Sequence, residues 1–172
     1  PLVILAFLLT YLHKYTWDRW TGKDKQFHVL IGGFAAFIFI TVPLIFLSNV
    51  NLMLFPDKWA SVEGFFSSLG VGNVFPRYFH FITATVAVTA LFLAGWFGRR
   101  KSPVETELPE FERPELRRTF YRIAFFLTMA QLIFGPVLLF TLPGAGLSLT
   151  LFIVITLGAT TALIVLYLLQ RE

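Results

Sequence analysis

The stretch from Arg77 to Lys101 reads RYFHFITATVAVTALFLAGWFGRRK, and it holds no formal charge between Tyr78 and Gly98. A run of about 20 apolar residues spans the ~30 Å hydrocarbon core of a bilayer. Basic residues at both ends, Arg77 and Arg99-Arg100-Lys101, suit its two surfaces. The stretch predicts a membrane helix over residues 77–98. Two more uncharged stretches run from Gln26 to Pro56 and from Ile123 to Gln170. The second is interrupted by Leu142-Pro143-Gly144-Ala145-Gly146, whose Pro and Gly residues favour a turn, so it reads as two helices. The opening run, Leu2 to Leu12, ends at His13-Lys14 and is too short to span. It has neither a basic n-region nor a small-residue cleavage pattern, and it reads as the end of a helix whose beginning is missing or lies just upstream. The expected fold is an all-α, polytopic membrane bundle of about five helices, near residues 1–17, 27–49, 77–98, 118–142 and 148–170. All five belong to a single membrane domain, residues 1–172, with a cytoplasmic mixed-charge loop at 99–117.

Composition agrees. With 56% hydrophobic and 14% charged residues and a mean hydropathy of +0.73, the chain has too little polar surface for a soluble globule. Under five helices, all of the 14 Lys and Arg except Lys58 and Arg77 fall on one side. Cytoplasmic loops hold the excess of Lys and Arg, which puts the amino terminus outside, the carboxyl terminus inside and the 52–76 loop on the outer face. This asymmetry accounts for the net charge of +4, so the basic balance does not call for nucleic acid.

The absence of cysteine excludes covalent c-type haem attachment, thiolate-held clusters and disulfides from this chain. All ten Asp and Glu lie in loops or at the chain end, which argues against a buried acid relay for proton pumping. No Gly-rich phosphate loop, Ser-His-Asp spacing or internal repeat is present. The segment from Ser102 to Glu115 reads as a solvated connector, kept from becoming one helix by Pro103, Pro109 and Pro114.

His80 is the costly residue, because an imidazole within an apolar span needs a partner. On a 3.6-residue period it shares a face with Ala84, Ala87, Leu91 and Ala94, flanked by Thr83 and Ala90. Small residues beside a histidine leave room for a flat macrocycle, and they equally serve plain helix packing. Haem ligation, an interhelical hydrogen bond and a quinone or proton contact all fit His80 at this point. Arg77, one turn earlier, suits a haem propionate or an interfacial anchor. His28, with Gly32, Ala35 and Ala36 in one sector, is a second candidate ligand or quinone contact. His13 lies at a similar inner depth, so a bis-His haem between His13 and His28 is geometrically conceivable, against simple interfacial roles for both.

The sequence Tyr15-Thr16-Trp17-Asp18-Arg19, then Gln26-Phe27-His28, then Asn51-Leu52-Met53-Leu54-Phe55-Pro56 resembles the central part of subunit I of the cytochrome bd quinol oxidases. Phe75-Pro76-Arg77-Tyr78-Phe79-His80, followed by Thr83, Thr85, Val88 and Thr89, is similar to that family's helix bearing the axial histidine of low-spin haem b. The resemblance covers about residues 6–142 and implies a haem b held by His80.

Departures narrow what the resemblance implies. The family's earlier helix with the high-spin haem histidine has no counterpart, and the stretch matching its acidic helix reads Leu5-Ala6-Phe7-Leu8, so oxygen reduction is not expected. The helix expected to supply a methionine opposite the haem matches Leu149 to Leu169, which contains neither Met nor His. The sixth ligand then falls to Met129 or Gln131, to Met53, or to another chain. A five-helix di-haem cytochrome b is disfavoured, since two bis-His haems need four histidines and the chain has three. The expectation is a haem b subunit of a respiratory complex in a bacterial inner membrane, passing electrons between membrane quinol and an outer-side partner such as a c-type cytochrome, beside other membrane subunits. A haem-free anchor subunit is the alternative.

Overall fold

The computed structural model describes residues 1–144 and 147–171; Ala145 and Gly146 of the expected turn lie outside the described residues, as does Glu172. The described chain is helical, with no strand. Among the described residues seven α-helices follow in order: α1 Leu2–Tyr15, α2 Lys25–Leu52, α3 Phe65–Leu69, α4 Val74–Phe97, α5 Val104–Glu107, α6 Arg113–Phe140 and α7 Leu149–Leu169. Among the described residues α2, α4, α6 and α7 are long and apolar enough to cross a membrane. The chain is therefore an integral membrane protein. At most 17% of the most apolar window of any of these spans is buried within the chain, leaving the remaining helix surface to lipid or partners.

The expected fifth span, α1, has 14 residues, about 21 Å at 1.5 Å per residue. It ends at Tyr15, where the chain turns through Thr16–Trp20 and the amide N–H groups of Arg19 and Trp20 both donate to Thr16 O. Two other boundaries differ from expectation. Helix α4 begins at Val74, after Asn73 at φ +74°, so Pro76 falls in its first turn, where amide N–H groups have no intrahelical acceptor to lose. Helix α6 begins at Arg113 with Pro114 in its first turn, so it takes in residues expected to be loop.

The chain's contacts gather into two compact units, Pro1–Val74 and Phe75–Glu172. In the first, α1 and α2 form an antiparallel hairpin on small residues. Ala6 of α1, Thr16 just after it, and His28, Ala35 and Ile38 of α2 are buried, and Phe7 meets Phe39 edge to face at 5.5 Å. In the last turn of α2 the buried Asn51 donates from Nδ2 to Gly72 O at 2.8 Å, and Trp59 Nε1 donates to Leu52 O at 2.8 Å. These bonds fasten the following loop to the helix end.

In the second unit, α4 and α6 pack antiparallel. Phe79 stacks with Phe134 at 6.0 Å and Phe97 with Phe120 at 5.5 Å. Between these ring pairs, Ala87, Ala90 and Ala94 are buried, as are Ala124 and Thr128 of α6. Ala87, Ala90 and Ala94 of the alanine stripe are thus covered within the chain, while Ala84 and Leu91 are half-buried.

The 99–112 connector is largely exposed, as its charges suggest, but it is anchored to the helix ends. Arg113 reaches back to the carboxyl end of α4, donating to Phe97 O at 3.1 Å and to Arg99 O. It also donates to Ser102 Oγ at 2.5 Å and Ser102 O at 3.1 Å, and pairs with the Glu105 carboxylate at 2.6 Å. Carbonyls at a helix end lack intrahelical donors, and a guanidinium fork satisfies several at once. The Arg113 hydrogen bond holds the Glu105 carboxyl below its ordinary value near 4.5. A depressed folded value means that Glu105 stabilises the fold above about pH 4.5 and loses that contribution as pH falls through the lower folded value. Glu105 is exposed, so most of the hold rests on the backbone bonds. Arg113→Ala is expected to destabilise the second unit by about 1.5–3 kcal/mol. Glu105→Gln should have a much smaller effect at neutral pH and should flatten the loss of stability below pH 4.5, both read from thermal unfolding in detergent.

Candidate functional site

Two histidine environments arise, one in each unit. In the first, α1 and α2 bring His13 and His28 face to face, with ring centroids 3.8 Å apart and an interplanar angle of 19°. His13 Nδ1 lies 2.9 Å from His28 O; a carbonyl only accepts, so this nitrogen carries the proton. His28 Nδ1 lies 3.1 Å from Thr16 Oγ1, whose hydroxyl donates to Leu12 O at 2.7 Å. With its one proton so used, the hydroxyl accepts, and His28 Nδ1 is also the protonated nitrogen. In each neutral imidazole Nε2 is therefore a bare acceptor. His28 is 5% exposed, and its Nε2 is buried without a hydrogen bond.

This arrangement does not fit a bis-His haem. A metal lies in the plane of the imidazole that binds it. One iron cannot lie in two nearly parallel planes stacked 3.8 Å apart. Instead, the His28 ring is bordered edge-on by Trp17 at 5.3 Å and Trp20 at 6.4 Å. A cavity of about 250 Å³ beside it is lined by Trp17, Trp20, Thr21, Gly22, Lys25 and His28. That is smaller than the ~300–1,000 Å³ of sites for drug-sized ligands, and it suits a single ring better than a macrocycle. Sequence reasoning found His28 but not Thr16 or Trp20; the aromatic pair three residues apart, just before a helix, was the available signal.

In the second unit, His80 is half-buried on the α4–α6 seam. Its ring edge rests on α6 where Gly135 has no side chain: a Cβ there would lie 3.8 Å from His80 Cε1. One turn before Gly135, Gln131 Nε2 donates to His80 O at 3.1 Å and to Thr83 Oγ1. His80 Nδ1 and Gln131 Oε1 are each buried without a hydrogen bond, and a buried orphan of this kind calls for a partner. A single imidazole is the donor type of one axial side of a haem. Met129 sits about 200° around α6 from Gln131 and is 45% exposed. Gln131 is engaged with the α4 backbone through its amide nitrogen. Arg77 lies half-buried one turn before His80. Met53, in the other unit, is 73% exposed at the end of α2. Among the described residues no three His, Asp or Glu side chains gather into a metal-binding group.

No family model, curated protein or solved structure matches the chain.

Proposed function

We propose that the chain is a haem b-carrying membrane subunit of a respiratory electron-transfer complex, with His80 as an axial ligand and Arg77 placed for a propionate. The observation that carries the reading is the His80 imidazole, seated on α6 at Gly135 with Nδ1 buried and unpartnered. A bound haem b supplies a one-electron iron couple. The chain's part is to fix the imidazole through the α4–α6 seam and to keep that side of the site apolar. In this reading the second axial ligand comes from another subunit, the exposed apolar faces dock membrane partners, and electrons pass between quinol and an outer-side redox protein. On the same reading the amino terminus lies outside and the carboxyl terminus inside a bacterial inner membrane, α1 being the inner end of a fifth span, and the excess of Lys and Arg then faces the cytoplasm.

A haem-free anchor subunit is supported by a different observation, the burial of Ala87, Ala90 and Ala94 of α4 within the chain. The pyridine haemochrome of the purified complex, counted per copy of this chain, separates the two. Under the haem reading, His80→Ala removes one haem b per chain and its visible band; unchanged haem content and spectrum would refute it.

A further inference from the structure

The orphaned acceptor of His28 has a consequence for the cavity beside it. A bare imidazole nitrogen repels phosphate and other anions and calls for a hydrogen-bond donor. The cavity that His28 lines is where such a donor can come from. Its walls are the indoles of Trp17 and Trp20, flat apolar surfaces suited to stacking on a ring. Lys25 and Thr21 stand at the same cavity and can serve a second polar atom across that ring. His28 lies three residues into α2, which begins at Lys25. That is the depth where Trp side chains settle at a membrane interface and where an amphipathic ring with an apolar tail is held. Nε2 itself has no accessible surface, so a donor reaches it only when a bordering side chain moves, and of the two bordering indoles Trp17, 65% exposed, is the less enclosed.

We infer that this cavity binds the head group of a membrane para-quinol, one ring hydroxyl donating to His28 Nε2 while Trp17 and Trp20 flank the ring. Thr16 sets the specificity indirectly: by accepting from Nδ1 it keeps Nε2 unprotonated, so the site prefers a ring hydroxyl to a carbonyl or an ether. The inference shares the quinol with the proposed function. Its test is a binding measurement that loss of haem leaves untouched.

The test uses the full chain in detergent with Trp59→Phe and Trp96→Phe, leaving Trp17 and Trp20 as reporters. Decyl-ubiquinol under argon is compared with its ring dimethyl ether, which keeps size and apolarity but cannot donate. Saturable quenching by the quinol is expected, about tenfold tighter than by the ether, the worth of one hydrogen bond. His28→Phe should bring the two to the same weak affinity, and His80→Ala should leave the difference intact. Equal affinities of quinol and ether for the parent chain, or non-saturable partitioning of both, would overturn the proposal. The ether comparison decides even where His28→Phe does not fold.

Discussion

Gly32→Val is expected to release α1 from α2, with a loss of about 2–4 kcal/mol in the stability of the first unit. A Cβ at Gly32 would lie 2.7 Å from His13 Cε1 and 2.8 Å from its Nδ1, so the imidazole cannot stay where it is. Rotating it away breaks the bond to His28 O and the stack on His28 together. In a membrane, helix pairs are held by close packing and hydrogen bonds rather than by apolar burial, and a lost close approach is not easily replaced. Alanine separates the terms. Gly32→Ala gains up to ~1 kcal/mol of helix propensity and loses a hydrogen bond of about 1 kcal/mol with part of a ring contact, so its net effect is small. In a His13→Ala background no ring remains to displace, and Gly32→Ala should turn stabilising. Unfolding in mixed micelles with rising dodecyl sulfate, followed by Trp20 fluorescence, reads the full double-mutant cycle. Independent additivity of the two substitutions would show that the Gly32–His13 approach is not what joins the helices.

What the sequence revealed and what it hid follow from the range of the interactions. Long uncharged runs need only local information, and they placed α2, α4, α6 and α7. The stripe Ala87, Ala90 and Ala94 was visible as a face, but whether a helix or a ring covers it depends on α6, some 30 residues away in the chain. The similar depth of His13 and His28 on antiparallel helices was legible, and it offered a bis-His haem against simple interfacial roles. The stacking was not, because it depends on the missing side chain of Gly32 and on the turn at Thr16–Trp20. Arg113 reads as one more interfacial cation until it is seen folded back on Phe97 O and Ser102. The imidazoles announced themselves by residue type, whereas their tautomers came from a hydroxyl and a carbonyl on neighbouring segments.

Gly135→Leu tests the seat of His80 without touching the ligand itself. The position tolerates a methyl group, since a Cβ would stand 3.8 Å from His80 Cε1, an ordinary contact distance. Leucine extends further along the same direction, into the space the imidazole occupies. Either His80 turns away or α4 and α6 separate, and separation also pulls Gln131 from His80 O and Thr83. Overpacking of this kind is expected to cost about 1–3 kcal/mol. If the seat fixes an axial ligand, that displacement is read in the haem as well: Gly135→Ala keeps the haem b stoichiometry of the parent complex, while Gly135→Leu lowers it about as far as His80→Ala does. If the chain is a haem-free anchor, Gly135→Leu lowers stability and leaves the haem content of the complex unchanged. Haemochrome content and detergent unfolding, measured on the same preparations, give the two readings opposite signatures, because one places the strain at an iron ligand and the other at a helix contact alone.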